Sequence, residues 1–126
     1  MRSALRIVTI LLGAGFTLQG IGWLAAPERA AAGLGMPLLE GVARSTQVGD
    51  FAAFFLTLGV TILAAIGLDR VGWFYFPAGL LGAAALCRTI AWMVHGAAFA
   101  ATFIVVEVVA SLLLLGSAWR GGRSVS

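Results

Sequence analysis

Four stretches of about 20 residues each run almost free of charge, and nothing else in the sequence constrains the fold as strongly, because a helix of that length crosses a hydrocarbon layer of about 30 Å. They run from about Ala4 to Ala26, Thr46 to Leu68, Gly72 to Val94 and Ala98 to Trp119. The first stops at Pro27, the second at Asp69-Arg70 and the last at a polar tail beginning with Arg120. With 61% hydrophobic and 10% charged residues in 126, the chain carries more apolar surface than a water-soluble core of this size could hide. Lipid is the solvent that fits. The expected fold is all-α: one transmembrane domain, an integral membrane four-helix bundle with a partly helical outer loop between helices 1 and 2.

The N-terminal stretch, with Arg2 and Arg6 ahead of an apolar run ending in Leu24-Ala25-Ala26, has the outline of a secretory signal peptide. Its apolar run is longer than a signal core, so a retained helix is expected. The tryptophans test the boundaries. Trp23 and Trp92 fall at the far ends of spans one and three, and Trp73 and Trp119 at the near ends of spans three and four, where amphipathic aromatics anchor at headgroup level. Arginine sets orientation: Arg2, Arg6, Arg70, Arg120 and Arg123 fall on one side, against Arg29 and Arg44 on the other. The richer side is expected to be cytoplasmic, with both termini inside.

The segment from Pro27 to Ser45 then lies outside. Pro27 suits a first helical turn with Glu28 beside it, and Gly33, Gly35 and Pro37 interrupt any continuous helix. Glu40 and Arg44 have the i,i+4 order of a stabilising pair. Leu34, Met36, Leu38 and Leu39 would rest this segment on the outer interface, as a lid or as a plain ordered loop.

Several chemistries lack the residues they need. There is no lysine, which excludes Schiff-base chemistry. Cys87 and His95 are each single, so no intrachain disulfide can form and neither a metal site nor another cofactor is expected. Cys87, within an apolar stretch, reads as a packing residue. A net charge of +3 without a basic cluster leaves no nucleic-acid footprint. Gly13-Ala-Gly15 lacks the strand and third glycine of a dinucleotide loop.

The polar residues within the spans are few, and such residues are expensive in lipid. Arg88 and Glu107 lie at matching distances from the Gly96-Ala97 turn, so a hairpin of spans three and four brings them to one depth, where an ion pair is expected. Gln19 lies roughly 10 Å below the outer end of its span and Asp50 roughly 6 Å below the start of its own. Gln47 and His95 are placed nearer the outer surface, with hydroxyls from Thr89 and Thr102. Gln19, Asp50, Arg88, Glu107 and His95 thus form a candidate polar cluster in the outer half, either structural or ligand-binding, with no catalytic role expected of any of them. Small residues four apart (Ala78/Gly82, Gly79/Ala83, Gly96/Ala100, Ala97/Ala101) would let helices approach closely, within the bundle or between copies.

The order of features also carries a resemblance. Ala26-Pro27-Glu28-Arg29, Gly33-Leu-Gly-Met-Pro37, Ala43-Arg44 leading to Gly49-Asp50, and a glutamate in the last span together resemble a group of small bacterial four-helix membrane proteins described only as domains of unknown function and loosely similar to DoxX-like proteins. Pro27, Arg44, Gly49 and Glu107 match that pattern, while Gly49 stands where related groups often have an arginine before the aspartate. The resemblance implies a fold and a bacterial inner-membrane location, and no reaction. The function expected is that of a non-enzymatic accessory or scaffold subunit of a membrane complex, with the lipid bilayer, other membrane proteins or further copies of the chain as partners. The alternatives are a binding protein for a lipophilic small molecule of lipid or quinone type, and an oligomeric transporter or channel.

Overall fold

A computed structural model describes residues 3–125, with side chains described for 3–122. Arg2 and the side chain of Arg123, both counted in the orientation argument, lie outside that description. The chain is all-α. Helices α1 (Ser3–Ala25), α2 (Pro27–Gly33) and α3 (Gly41–Gly67) are followed by a 3₁₀ turn (Val71–Phe74), α4 (Tyr75–Val94) and α5 (Ala101–Val125). Ser3–Ala25, Gly41–Gly67, Val71–Val94 and Ala101–Gly122 are each long and apolar enough to cross a membrane, which makes this a multi-pass membrane protein by length and composition. Packing divides the chain into two compact units, Ile10–Leu63 and the remainder, and each is described by itself.

In the first unit α1 and α3 pair along a seam repeating every three and four residues. Gly13, Phe16, Gly20 and Trp23 line it on α1, and Phe51, Ala52, Phe55, Leu58, Gly59 and Ile62 on α3. A 3.5-residue repeat keeps one stripe of each helix facing its neighbour. Backbone contact is close: a Cβ on Gly59 would meet Thr17 and lie 2.6 Å from the Gly13 carbonyl, and one on Gly20 would lie 2.7 Å from the Leu56 amide. Only glycine permits that approach. Such packing replaces the hydrophobic drive that lipid does not supply.

The connection between α1 and α3 is partly helical. Pro27 sits in the first turn of α2 with Glu28 beside it, and Gly35 (φ 76°) ends the segment while the Met36 amide returns to the Ala31 carbonyl at 2.9 Å. Ala31, Leu34 and Met36 then pack with Trp23, Phe51, Ala52 and Phe55 in one apolar cluster. The connection is therefore a packed cover on this helix pair. Helix α3 starts at Gly41, five residues ahead of the hydropathy boundary at Thr46, because Arg44 and Ser45 lower hydropathy without opposing helix formation. Arg44 does not answer Glu40 with its side chain. It donates Nε–H to the Leu39 carbonyl at 2.6 Å.

In the second unit α4 and α5 form an antiparallel hairpin. Phe74 at the end of the 3₁₀ turn and Ala78, Leu81 and Ala85 of α4 make one buried stripe, and Ala110, Leu114, Ser117, Ala118 and Gly121 that of α5. Ser111 donates to the Ala78 carbonyl at 2.7 Å, and Gly82 lies against the same hydroxyl. At the other end Thr9 and Ser117, both buried, approach to 3.5 Å between hydroxyls. Helix α4 ends in a Schellman motif. Gly96 takes φ 67° while the amides of His95 and Ala97 both reach the Ala91 carbonyl. Residues 95–100 form the turn, so Gly96, Ala97 and Ala100, expected to pair at helical spacing, are not helical.

Candidate functional site

The stripe that α4 buries continues in register to Arg88, and that of α5 starts with Phe103 and Glu107. Apolar packing therefore carries the two charges to one level of the hairpin, and they meet: Arg88 Nε lies 2.6 Å from Glu107 Oε1. The guanidinium also stands over the Phe103 ring, 4.7 Å from its centroid, one helical turn from Glu107. Charge-assisted donation of this kind is among the stronger hydrogen bonds, and at membrane depth it removes two charges from lipid together.

The pair is unequal. The Glu107 side chain is 12% exposed and that of Arg88 34%. Glu107 Oε2 is buried with no hydrogen-bond partner among the described residues. One carboxylate oxygen is thus a buried acceptor without a partner among those residues, next to a guanidinium with further N–H groups to give. Chemically, the arrangement can hold the hairpin together, and it can also receive a hydrogen-bond donor at Oε2. Toward the hairpin tip, Trp92 and Phe99 pack with centroids 5.0 Å apart.

The other candidates do not join this contact. The Thr89 hydroxyl bonds its own helix at the Ala85 carbonyl, and Thr102 and His95 are exposed at the tip. Gln19 and Asp50 belong to the α1–α3 unit and are exposed. Positions summing to about 76 lie level in that pair (Gly20 with Leu56, Thr17 with Gly59), so Asp50 stands level with the end of α1. Gln19, Asp50 and His95 have no side-chain hydrogen bond or ion pair among the described residues. No group of three His, Cys, Asp or Glu side chains among those residues could hold a metal.

Two further expectations are corrected. Trp73, Trp92 and Trp119 are about half exposed, as interfacial anchors would be, but Trp23 is fully buried and stacked on Phe51 at 4.9 Å, so it is a core residue. Its indole N–H has no partner among the described residues. Cys87 is exposed on α4 and packs nothing inward.

Gln47, whose position places it toward the outer membrane surface, is only 5% exposed. Its Oε1 accepts from the Leu39 amide at 2.9 Å and its Nε2 donates to the Pro37 carbonyl at 3.0 Å, so one side chain fixes the loop ahead of α3. The signal in the sequence was an amide on the apolar stripe of α3, four and five residues before Phe51 and Ala52. Against family models, curated proteins and solved structures the chain finds no match.

Proposed function

We propose that this protein is a non-enzymatic accessory or scaffold subunit of a complex in a bacterial inner membrane, with both termini in the cytoplasm. The arginine distribution supports the orientation, and the resemblance to DoxX-like proteins supports the location. One observation carries the docking role: Gly79 and Ala83 on α4 are exposed, and a Cβ on Gly79 would meet nothing within 4 Å. A small-residue step that the packing of its own unit leaves uncovered is the shape against which another transmembrane helix approaches closely. Cys87 continues the same stripe four residues on, and it is the chain's one cysteine.

That cysteine supplies the test. A photoreactive maleimide on Cys87, activated in intact membranes, should yield one discrete protein adduct, and Gly79→Leu or Ala83→Leu should abolish it. A smear of adducts that neither substitution alters would contradict the docking role.

A second reading has its own observation. The unpartnered Oε2 of Glu107 beside the part-exposed Arg88 is favourable for a lipophilic molecule that carries a hydroxyl or N–H, of lipid or quinone type. Under that reading a stoichiometric small molecule co-purifies with the wild type and is lost from Glu107→Leu.

A further inference from the structure

A cavity of ≈ 460 Å³ opens on the cover of the α1–α3 unit, lined by Glu28, Ala32, Met36, Pro37, Leu38 and Arg44. Its size falls within the range of small-molecule sites. Four of the six lining residues are apolar, and Met36 joins the Trp23 cluster, so the apolar wall is continuous with a packed core. The two polar residues carry opposite charge. They do not neutralise each other: the one ion pair among the described residues is Arg88–Glu107. The groove therefore presents a separated cation and anion over an apolar surface.

Both charges are carried on fixed backbone. Arg44 has its Nε–H on the Leu39 carbonyl, which orients the guanidinium and leaves its terminal amino groups to donate. Gln47 bonds Leu39 and Pro37 and so holds the wall between them. Glu28 extends from the first turn of α2. The groove also lies just past Ala25, where α1 ends, which is the level of lipid headgroups for a membrane-crossing helix.

We propose that this groove binds one phospholipid headgroup carrying a phosphate and a primary ammonium, of the phosphatidylethanolamine type. Arg44 takes the phosphate through its terminal amino groups, as guanidinium does in planar phosphate recognition. Glu28 accepts N–H bonds from the ammonium. A quaternary ammonium has no N–H to give, and a glycerol headgroup has no positive charge, so Glu28 supplies the selectivity and Arg44 the general phospholipid affinity. The glycerol backbone and upper acyl chain lie along Met36, Pro37 and Leu38. This proposal does not depend on the docking role of α4.

The test is native mass spectrometry of the full-length protein, released from detergent after equilibration with equal amounts of phosphatidylethanolamine, phosphatidylcholine and phosphatidylglycerol of matched chains. The wild type is expected to retain one phosphatidylethanolamine, favoured roughly fivefold over phosphatidylcholine, the scale of one solvent-accessible charge-assisted contact. Glu28→Gln should erase that preference while leaving total lipid retention in place, and Glu28→Lys should turn it toward phosphatidylglycerol. Arg44→Gln should lower retention of all three, and Arg29→Gln, outside the groove, should change nothing. No preference in the wild type, or a preference untouched by both Glu28 variants, overturns the proposal. Water-soluble glycerophosphoethanolamine at millimolar concentration should fail to displace the lipid. Displacement would overturn the lipid assignment and give the groove to a free zwitterion.

Discussion

Replacing Arg88 by leucine should damage this protein more than replacing Arg88 and Glu107 together. In Arg88→Leu the Glu107 carboxylate, 12% exposed, loses the 2.6 Å contact that answers its charge, while its second oxygen already lacks a partner. Removing one member of a buried pair costs about 3–5 kcal/mol, and the part-exposed guanidinium places this case near 3. Glu107→Leu leaves Arg88, whose long stem lets the charged head reach a wetter level, so the loss is smaller, about 1–2 kcal/mol. The double variant extends the apolar stripes past Ala85 and Ala110 with two leucines and leaves no charge unanswered. It should fall within about 1 kcal/mol of the wild type, since well-packed apolar replacements of buried pairs are often neutral. The coupling is then about 3 kcal/mol. The assay is unfolding in mixed micelles followed by tryptophan fluorescence for all four proteins. If the double variant loses the sum of the single losses to within about 0.5 kcal/mol, the two residues act independently and the pairing argument is refuted.

Other substitutions probe the packing. Gly59→Ala should cost about 3 kcal/mol, at the upper end for overpacking, because its Cβ would press on backbone of α1, while Gly116→Ala, with nothing within 4 Å, should change stability by less than about 1 kcal/mol in the same assay. Gln47→Leu removes both loop bonds and should cost about 2 kcal/mol, with faster proteolysis between residues 34 and 40. Gln47→Glu keeps the length but cannot donate to Pro37, so it should fall between the two. Gly96→Ala forces a side chain to φ 67° and should lower stability by about 1 kcal/mol without altering retention of lipid at the α2 groove.

The features that could be read from the sequence are those set by hydropathy and by distance along one helix. Long apolar runs place four membrane-length helices, and a shared distance from the middle of the turn after Gly96 brings Arg88 to Glu107, because a short turn fixes the register of both arms. Contacts that depend on how helices pack were not legible in the same way. Trp23 has the position of an interfacial anchor, but the fold of Pro27–Gly33 brings Ala31 over it and buries it. Asp50 lies about four residues into its span by counting from Thr46, which says nothing of its level on α1. The register set by Gly13, Gly20 and Gly59 moves it level with the end of α1. Those glycines were visible as letters, but their seam appears only once two helices are laid together. The bonds of Gln47 are hidden for the same reason, since its partners Leu39 and Pro37 lie on a loop whose path no periodicity describes.

The account rests on the protein working as part of a larger membrane assembly. Extraction from its own membrane in mild detergent, followed by the mass of the intact particle, tests that most directly. The account predicts a particle well above the 13.0 kDa of one chain, containing a second protein in fixed ratio that dissociates in Gly79→Leu. A particle of one chain, or of identical chains carrying only a small molecule, would contradict it.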